Sequence, residues 1–360
     1  MMTLASRCHK PFLRVAVLLL LIFPVTACQT DQSGSHTGSA GKLQIQGSTM
    51  GTSYHITICT SPSNLVDSDL LKQEVDQLLE NINAQMSTYI ETSELSRFNQ
   101  SQSDQWFEVS PSVLKVVEAG LNLSKASTGA FDMTVGPLVN LWHFGPDPGK
   151  RTLPESSQIE AARKNVGYQH IELQHVSPAL KKLIPKVYLD LSAIAKGYAV
   201  DRVTSYLDSK SIENYLVEIG GEMRAKGTNQ SQVPWKVGIE KPISETRKIQ
   251  KVVPLSNLSM ATSGNYRNFF EVNGKTYSHT IDPRTGYPVD HSLASVTVVG
   301  ETCMNCDALA TCLMVLGPDE GYNWAKEREI AAYFIVKEEN GFTERYSPRW
   351  QKLLGEENES

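Results

Sequence analysis

"NYLVEIGGEMRAKG", residues 214–227, is the stretch that indicates how this chain folds. Two strand-like runs flank the Gly220–Gly221 pair, which predicts two strands joined by a tight turn. Strands joined in this way run antiparallel. Further short strands are predicted for "SYHITICT" (53–60), "KVYLDL" (186–191), "WKVGIE" (235–240), "KVVPL" (251–255), "LSMATSG" (258–264), "NFFEV" (268–272), "KTYSHTI" (275–281), "LASVTVVG" (293–300) and "IAAYFIVK" (330–337).

Helices are predicted between these strands from the spacing of their apolar residues. They cover residues 64–86, 111–128, about 193–207, 304–316 and 318–328, with Ser110 as a cap before Pro111 and Ser192 as a cap for the third helix. Because helices and strands are mixed and the strands cluster late, the predicted class is α+β with a mainly antiparallel sheet.

Composition limits the possible functions. The 360 residues are 40% hydrophobic and 20% charged, which is typical of a globular protein. The net charge is -5 and the body has no basic run, which argues against a protein that follows nucleic-acid phosphates. We therefore expect no nucleic-acid partner.

The N-terminus resembles an export signal. Basic residues precede an apolar run that is short for a membrane span, and "VTAC" (25–28) resembles a lipobox, in which cleavage leaves an acylated Cys28. The alternative is a plain signal peptide with a chance cysteine. We predict a lipoprotein signal peptide over 1–27, a flexible tether over 28–42, one large domain over 43–345 and a peripheral tail over 346–360.

The remaining cysteines of the body are Cys59, Cys303, Cys306 and Cys312. Cys303 and Cys306 form a lone C-x-x-C, whereas a structural zinc site usually needs a second pair. We expect these thiols to be mostly buried small apolar residues.

Two polar residues interrupt an otherwise apolar helix in "CDALATCLMVLG" (306–317). Asp307 and Thr311 are four residues apart and so share one face. A buried carboxylate needs a partner, and a carboxylate with a hydroxyl is ligation that Mg²⁺ accepts. The alternative is an aspartate favoured by the helix dipole and a threonine bonded to its own helix.

Two other stretches hold candidate site residues. In "LDLSAIAKGYAVD" (189–201), Lys196 near a helix start could bind phosphate, although a surface lysine is the simpler interpretation. "SHTIDPRTGYPVDH" (278–291) concentrates reactive side chains in a turn, either in a surface loop or in one wall of an active site. Trp142 and Phe144 could pack an aromatic ligand or belong to the core.

Taken together, the motifs resemble the ApbE family of FAD:protein FMN transferases. The matching segments are "MGTSYHI", "MSTYIETSELSRFN", "TGAFDMTVGPLVNLW", "LDLSAIAKGYAVD", "YLVEIGGE", "VGIEKP", "ATSGNYRNFFE", "YSHTIDPRTGYPV" and "DALATCLMVLG", in one order from about Gly47 to Gly317. The resemblance implies a single large T-fold-like domain. It also implies that FAD is cleaved with Mg²⁺, that FMN passes to a Thr or Ser hydroxyl of an acceptor protein, and that AMP leaves.

The resemblance assigns residues to roles. His279 is the implied base, and Asp282 is expected to orient it. The implied metal ligands are Asp307 and Thr311 with the carbonyls of Ala193 and Ala310, and the implied residues of the FAD site are Met50, Tyr89, Ala130, Phe131, Asp132, Asp190, Lys196 and Ile281. No role is implied for His291, for which a solvent-facing or supporting position is expected.

The chain departs from the family pattern at two positions. His143 stands where glycine is common, and we expect it to narrow the flavin pocket; Cys306 stands where alanine is common. The implied acceptors are subunits of sodium-pumping quinone reductases or related electron-transfer complexes. Gln29 after the cysteine is compatible with sorting to the outer membrane, but the position of the acceptors leads us to expect the periplasmic side of the inner membrane.

Two other functions remain open at this point. The same metal site could serve a Mg²⁺-dependent FAD pyrophosphatase that releases FMN and AMP to water. The chain could also be a flavin-binding lipoprotein without turnover, although the Asp307–Thr311 pair argues against storage alone.

Overall fold

An eight-stranded antiparallel sheet forms the centre of the fold. A computed structural model describes residues 41–60, 66–146, 149, 152–243, 248–265, 269–272 and 274–355, which lie in one compact unit. The strands are β1 Lys42–Thr49, β2 Thr52–Cys59, β3 Phe107–Glu108, β4 Ile171–Gln174, β5 Ala179–Lys182, β6 Tyr215–Ile219, β7 Glu222–Lys226, β8 Trp235–Glu240, β9 Ile249–Leu255, β10 Leu258–Gly264, β11 Phe269–Val272, β12 Lys275–Ser278, β13 Ile281–Asp282, β14 Tyr287–Pro288, β15 Leu293–Gly300, β16 Ala331–Glu338 and β17 Gly341–Tyr346. The order of strands in the eight-stranded sheet is β1-β2-β6-β7-β10-β15-β16-β17.

Eight α-helices accompany these strands in the part of the chain that the structure describes. They are α1 Ser68–Met86, α2 Glu94–Gln100, α3 Pro111–Ala126, α4 Gly136–Leu141, α5 Ser156–Arg163, α6 Ala195–Ser209, α7 Cys303–Glu327 and α8 Pro348–Leu354. The hydroxyl of Ser110 accepts from the N–H of Val113 over 3.3 Å, which confirms the predicted cap of α3. The two predicted late helices are one element, α7, interrupted at Gly317, whose φ of 80° is not helical, before Pro318.

Two apolar cores cover the two faces of the sheet. The larger core includes buried residues of α1, α3, α6 and α7. The smaller core joins β8 and β9 to the opposite face and includes Tyr333, Tyr346 and Trp350. Sheet and helices thus agree with the predicted α+β class. Among the described residues, no helix is both long enough and apolar enough to span a membrane.

The C-terminal tail differs from the expectation. We expected residues 346–360 to be peripheral, yet Trp350 has 0% exposure and its ring lies 5.5 Å from that of Tyr333. β17 pairs with β16, and Ser347 caps α8 by accepting from the N–H of Trp350. Charged residues on the outer side of β17 concealed this packing, because a strand at the edge of a sheet alternates between the core and solvent.

The predicted strand over residues 186–191 is wrong. The segment carries no strand, because the side chain of Asn99 takes the place of a neighbouring strand: its Nδ2 donates to the carbonyl of Leu189 and its Oδ1 accepts the N–H of Leu189, both over 2.8 Å. The predicted cap of α6 is wrong as well. Ser192 donates its own N–H to Asp190, and α6 starts at Ala195 without a side-chain cap.

The cysteine prediction is confirmed within the described residues. Cys303, Cys306 and Cys312 are buried, Cys59 is partly buried, and all four are free thiols. Burial raises the pKa of each of the three buried thiols above its ordinary value. The predicted signal peptide, Cys28 and nearly all of the predicted tether lie outside the described residues.

Candidate active site

A cavity of about 760 Å³ brings together most of the residues singled out from the sequence. It lies where the β6–β7 turn, the start of α6, the middle of α7 and the segment after β12 meet. The predicted residues that line it are Tyr89, Ala130, Phe131, Asp132, Asp190, Ala193, Lys196, His279, Ile281, Asp307 and Thr311. The turn that carries His279 is therefore one wall of a cavity and not only a surface loop.

Three predicted residues do not line the cavity. Met50 lies in the β1–β2 turn with a φ of 50° and packs on the larger core, and Ala310 is fully buried within α7. Asp282 accepts from the backbone N–H of Arg284 at 2.8 Å and pairs with its guanidinium at 3.0 Å. Asp282 therefore fixes the β13–β14 turn, and its orienting role toward His279 stays a prediction.

Asp307 is almost fully buried, with 3% exposure, and its contacts explain how α6 and α7 meet. Its Oδ2 accepts the backbone N–H of Gly197 over 2.9 Å. A Cβ at Gly197 would lie 2.3 Å from the carbonyl oxygen of Cys303, so only glycine permits this close approach. Gly197 is the third residue of α6, so its N–H has no acceptor within the helix, and the carboxylate of Asp307 supplies one.

Thr311 follows Asp307 by four residues and lines the same cavity. Its hydroxyl lies 3.3 Å from that of Ser263 on β10. The predicted shared face of Asp307 and Thr311 is thus present, and the hydroxyl contacts a neighbouring strand in addition to any bond within its own helix.

Lys196 is not a surface lysine. Its Nζ lies 3.0 Å from Oε1 of Glu222 and 3.7 Å from Oδ1 of Asp307. Burial acts to lower the pKa of Lys196, but the charges of Asp307 and Glu222 outweigh burial and raise that pKa above its ordinary value. The ammonium group therefore stays charged inside the cavity.

Glu222 is a site residue that our sequence reasoning missed. It has 5% exposure, and its Oε2 is buried without a hydrogen-bond partner among the described residues. A signal was present in the sequence: a two-residue Gly–Gly turn pairs Glu222 directly with Ile219, and directly paired residues point to the same face of a sheet. Since Ile219 faces the core, Glu222 had to be buried as well.

The charges of this cluster do not balance. Lys196 contributes one positive charge, whereas Asp307 and Glu222 contribute two carboxylates, and burial raises the pKa of both carboxyl groups. The carboxylates of Asp307 and Glu222 and the hydroxyl of Thr311 belong to residues that line the cavity, and a hard divalent cation such as Mg²⁺ prefers oxygen donors of this kind. The residues present therefore fit Mg²⁺. In the part of the chain that the structure describes, no group of three His, Cys, Asp or Glu residues could hold a metal ion.

His279 and a second histidine, His55, both line the cavity. The ring of His279 lies 6.3 Å from that of Phe144 in an edge-on arrangement. On the β2–β6 side, Nδ1 of His55 lies 2.8 Å from Oε2 of Glu218, and Glu218 also accepts the N–H of Gly221 over 2.6 Å. Both His55 and Glu218 line the cavity, and neither was expected from the sequence.

The residues predicted for the FAD site differ in exposure. Tyr89, with 67% exposure, stands at the mouth of the cavity, whereas Ala130 and Phe131 are buried in its wall. Both oxygens of the Asp132 carboxylate accept hydrogen bonds from the protein: Oδ1 accepts from the N–H and the hydroxyl of Thr134, and Oδ2 accepts from the N–H of Tyr168. Asp132 thus shapes the wall and is not a free carboxylate.

Residues near the aromatic end of the cavity take different positions. Trp142 belongs to a small core and donates its indole N–H to the carbonyl of Gly286 over 2.9 Å, while Phe144 lines the cavity. His143 does not line the cavity, so our expectation that it narrows the flavin pocket is wrong. Its φ of 60° lies in the left-handed region, which explains in physical terms why glycine suits this position. His291 also lies away from the cavity and bonds to the carbonyl of Met314.

Comparison with known proteins identifies the family. The ApbE family model matches residues 50–334, which is more than half of the chain.

The chain belongs to the ApbE family.

Curated relatives of this ApbE family member are named FAD:protein FMN transferase. One from Vibrio cholerae serotype O1 is 46% identical over 315 residues, which is 88% of this chain and 93% of that protein. One from Haemophilus influenzae is 40% identical and spans 96% of this chain and 98% of that protein. The solved flavin transferase ApbE from Vibrio cholerae is 45% identical, covers 87% of this chain and 99% of its own, and superposes with a TM-score of 0.80.

Proposed function

We propose that this protein transfers FMN from FAD to a Thr or Ser hydroxyl of an acceptor protein in a Mg²⁺-dependent reaction that releases AMP. One observation carries the proposal: Asp307, Thr311, Lys196 and His279, from separate parts of the chain, line a single cavity. The names of the ApbE relatives support the same class of reaction.

One set of residues would neutralise charge on the pyrophosphate, and a different residue would accept the proton. Asp307, Thr311 and the carbonyl of Ala193 would hold Mg²⁺, which would neutralise charge on the pyrophosphate. Lys196 places an ammonium group beside the same cluster. Ala310 is buried within α7, and its carbonyl is proposed as a further ligand on the family resemblance alone.

The chemical step balances as follows. The acceptor hydroxyl oxygen forms a bond to the phosphorus on the FMN side of the pyrophosphate. The bond from that phosphorus to the bridging oxygen breaks, and its electron pair leaves with AMP. The hydroxyl proton passes to His279, since histidine is the side chain that most often acts as a general base. Positioning and neutralisation of charge supply most of the rate enhancement in phosphoryl transfer.

The experiment that tests this function mixes the purified protein with FAD, Mg²⁺ and a periplasmic flavin-acceptor domain that carries its Thr. The intact mass of the acceptor is measured with and without EDTA. A Mg²⁺-dependent gain of one FMN phosphoester is expected. Free FMN and AMP with an unmodified acceptor would favour the pyrophosphatase, and unchanged FAD would favour a flavin-binding protein without turnover.

We also propose where the protein acts. A lipid on Cys28 would anchor it to the periplasmic side of the inner membrane, close to acceptor subunits of sodium-pumping quinone reductases or related complexes. Several acyl chains resist extraction where one does not. Cys28→Ala should therefore move the protein from the membrane fraction to the soluble periplasmic fraction, and retention in the membrane fraction would contradict the anchor.

A further inference from the structure

Lys196 is shared between two carboxylates that come from different parts of the fold. Glu222 opens β7, whereas Asp307 lies in the first half of α7. The ammonium group lies closer to Glu222, at 3.0 Å, than to Asp307, at 3.7 Å. Lys196 is thus closer to Glu222, the carboxylate that was not predicted to bind metal.

The sheet positions the backbone of Glu222. The turn before it has φ values of 63° at Gly220 and 106° at Gly221, and the N–H of Gly220 donates to the carbonyl of Ser53 on β2 over 3.1 Å. A Cβ at Gly220 would lie 2.8 Å from Cγ2 of Thr52, so the turn is packed closely against β2. The start of β7, where Glu222 lies, is thus fixed by contacts with β2.

The carboxylate of Glu222 serves Lys196 and no other side chain in the described part of the molecule. Its Oε1 pairs with Lys196, and its Oε2 has no hydrogen-bond partner there. The neighbouring acidic residue of the same hairpin, Glu218, has different partners, His55 and the N–H of Gly221. Glu218 and Glu222, four residues apart, thus bind different partners.

Asp307, by contrast, is the carboxylate that Lys196 could block. Its Oδ2 is used by the N–H of Gly197, and the atom that faces Lys196 is Oδ1. An ammonium group in full contact with Oδ1 would occupy the place of a metal cation, since both are drawn to the same negative charge. With Lys196 paired to Glu222 at 3.0 Å, its distance to Oδ1 of Asp307 is 3.7 Å, which is longer than a hydrogen bond.

We propose that Glu222 is a positioning residue that holds Lys196 away from Asp307, so that Asp307 remains available to Mg²⁺ while the ammonium group stays beside the cavity. This inference rests on the proposed Mg²⁺-dependent function. It concerns the competition between Lys196 and the metal, which can be measured without FAD and without turnover.

The experiment is a double-mutant cycle on Mg²⁺ affinity, measured by calorimetry with Mg²⁺ alone. The variants are Glu222→Gln, Lys196→Met and both together, with Glu172→Gln as the control for loss of one negative charge, because Glu172 pairs with Lys181 outside the cavity. We expect Glu222→Gln to weaken Mg²⁺ binding by about tenfold when Lys196 is present, and by much less in the Lys196→Met background. Glu172→Gln should have a small effect in both backgrounds.

The outcomes separate this proposal from the proposed function. Equal effects of Glu222→Gln in both backgrounds, or absence of Mg²⁺ binding by the wild-type protein, would overturn the role of Glu222. A wild-type protein that binds Mg²⁺ with the expected coupling but does not transfer FMN would overturn the function and leave the role of Glu222 in place. If Glu222→Gln fails to fold, Glu222→Asp keeps the charge but withdraws it by one methylene, and the same background-dependent loss is expected.

Discussion

The backbone N–H of Gly197 donates to the carboxylate of Asp307 across 2.9 Å, and this bond joins the first turn of α6 to α7. The bond satisfies an N–H that has no acceptor within its own helix, and it fixes Oδ2 of Asp307. Ala193, just before α6, lines the same cavity as Asp307.

Substitution of Asp307 tests the metal assignment. Asp307→Asn should lower the rate of Mg²⁺-dependent FAD cleavage by at least about 100-fold, because the charge that holds the cation is lost. AMP release measured by chromatography reports the rate. Mg²⁺ should also raise the Tm of the wild-type protein but not that of the variant, since only a bound ligand stabilises the native state.

Asp319 offers the matched control for that change. It lies in the second half of α7, is exposed, and pairs with Arg345 at 2.8 Å. Asp319→Asn should retain both the rate and the Mg²⁺-dependent rise in Tm. Full cleavage activity in Asp307→Asn would show that the metal is held elsewhere.

Removal of the imidazole of His279 separates binding from transfer. His279→Ala should keep FAD binding, measured by equilibrium dialysis, and lower FMN transfer by about 10²- to 10⁴-fold, because the base for the acceptor hydroxyl is absent. His175→Ala is the control, since that exposed histidine pairs with Glu118 outside the cavity. Equal transfer by both variants would remove His279 from the mechanism.

The close contact of α6 with α7 makes Gly197 sensitive to a single methyl group. Gly197→Ala should lower the free energy of unfolding by about 1–3 kcal/mol, because the new Cβ would meet the backbone of Cys303 and the side chain of Asp307. Denaturant unfolding measures the loss. At Gly238 a Cβ would meet only the flexible side chain of Ile249, at 3.3 Å, so Gly238→Ala should cost less; the reverse order would contradict the packing described here.

Lys182 provides a pH-dependent prediction. It has 2% exposure and donates to the carbonyls of Asn99 and Ser101, and burial lowers its pKa from an ordinary 10.5 to about 8. Between these two values the unfolded chain keeps the proton that the folded chain has lost. The unfolded state then binds more protons, so this group makes the free energy of unfolding rise with pH above about 8.

The measurement compares pH profiles of stability for two variants. The rise above pH 8 attributed to Lys182 should be missing in Lys182→Met and retained in Lys181→Met, because Lys181 is more exposed and pairs with Glu172. Lys182→Met should also be less stable at pH 7, since two buried carbonyls lose their donor, by about 1–3 kcal/mol. Identical profiles for all three proteins would contradict the shifted pKa of Lys182.

The C-terminal packing predicts a large effect at Trp350. Trp350→Ala should lower the free energy of unfolding by about 3–5 kcal/mol, because a fully buried indole that packs on Tyr333 and Tyr346 is removed. Trp106→Ala, at an exposed indole, is the control and should cost little. A small loss at Trp350 would mean that residues beyond 345 are dispensable, as the sequence first suggested.

The fold was predictable where one face of a strand was clearly apolar. The Gly220–Gly221 turn and its two strands are confirmed, and so are β10 and β15. β1 was missed because only Ile45 and Thr49 of this edge strand are buried, which leaves little alternation to detect. The segment that ends at Leu189 has the composition of a strand, but its hydrogen-bond partner is one side chain, and propensity cannot distinguish the two cases.

The site was predictable where residues belong to long ordered motifs, as for His279 and Asp307. Glu222 was missed because the glutamate was weighed as a single residue rather than through its pairing with Ile219. Because glycine is common at position 143, we expected the larger His143 side chain to narrow the flavin pocket. The positive φ of His143 gives another reason for glycine there, since glycine adopts this backbone conformation most readily. At residue 143 the backbone conformation was therefore more informative about the role of the position than the type of amino acid.

The pairing of Asn99 with Leu189 also bears on how the enzyme is made. The two residues are 90 positions apart, and Asp307, which lines the cavity, comes from a helix more than 100 positions later than Leu189. Contacts of such separation form only when most of the chain is in place. A partly synthesised chain thus lacks the walls of the cavity, and the capacity to transfer a flavin arises only with the completed domain.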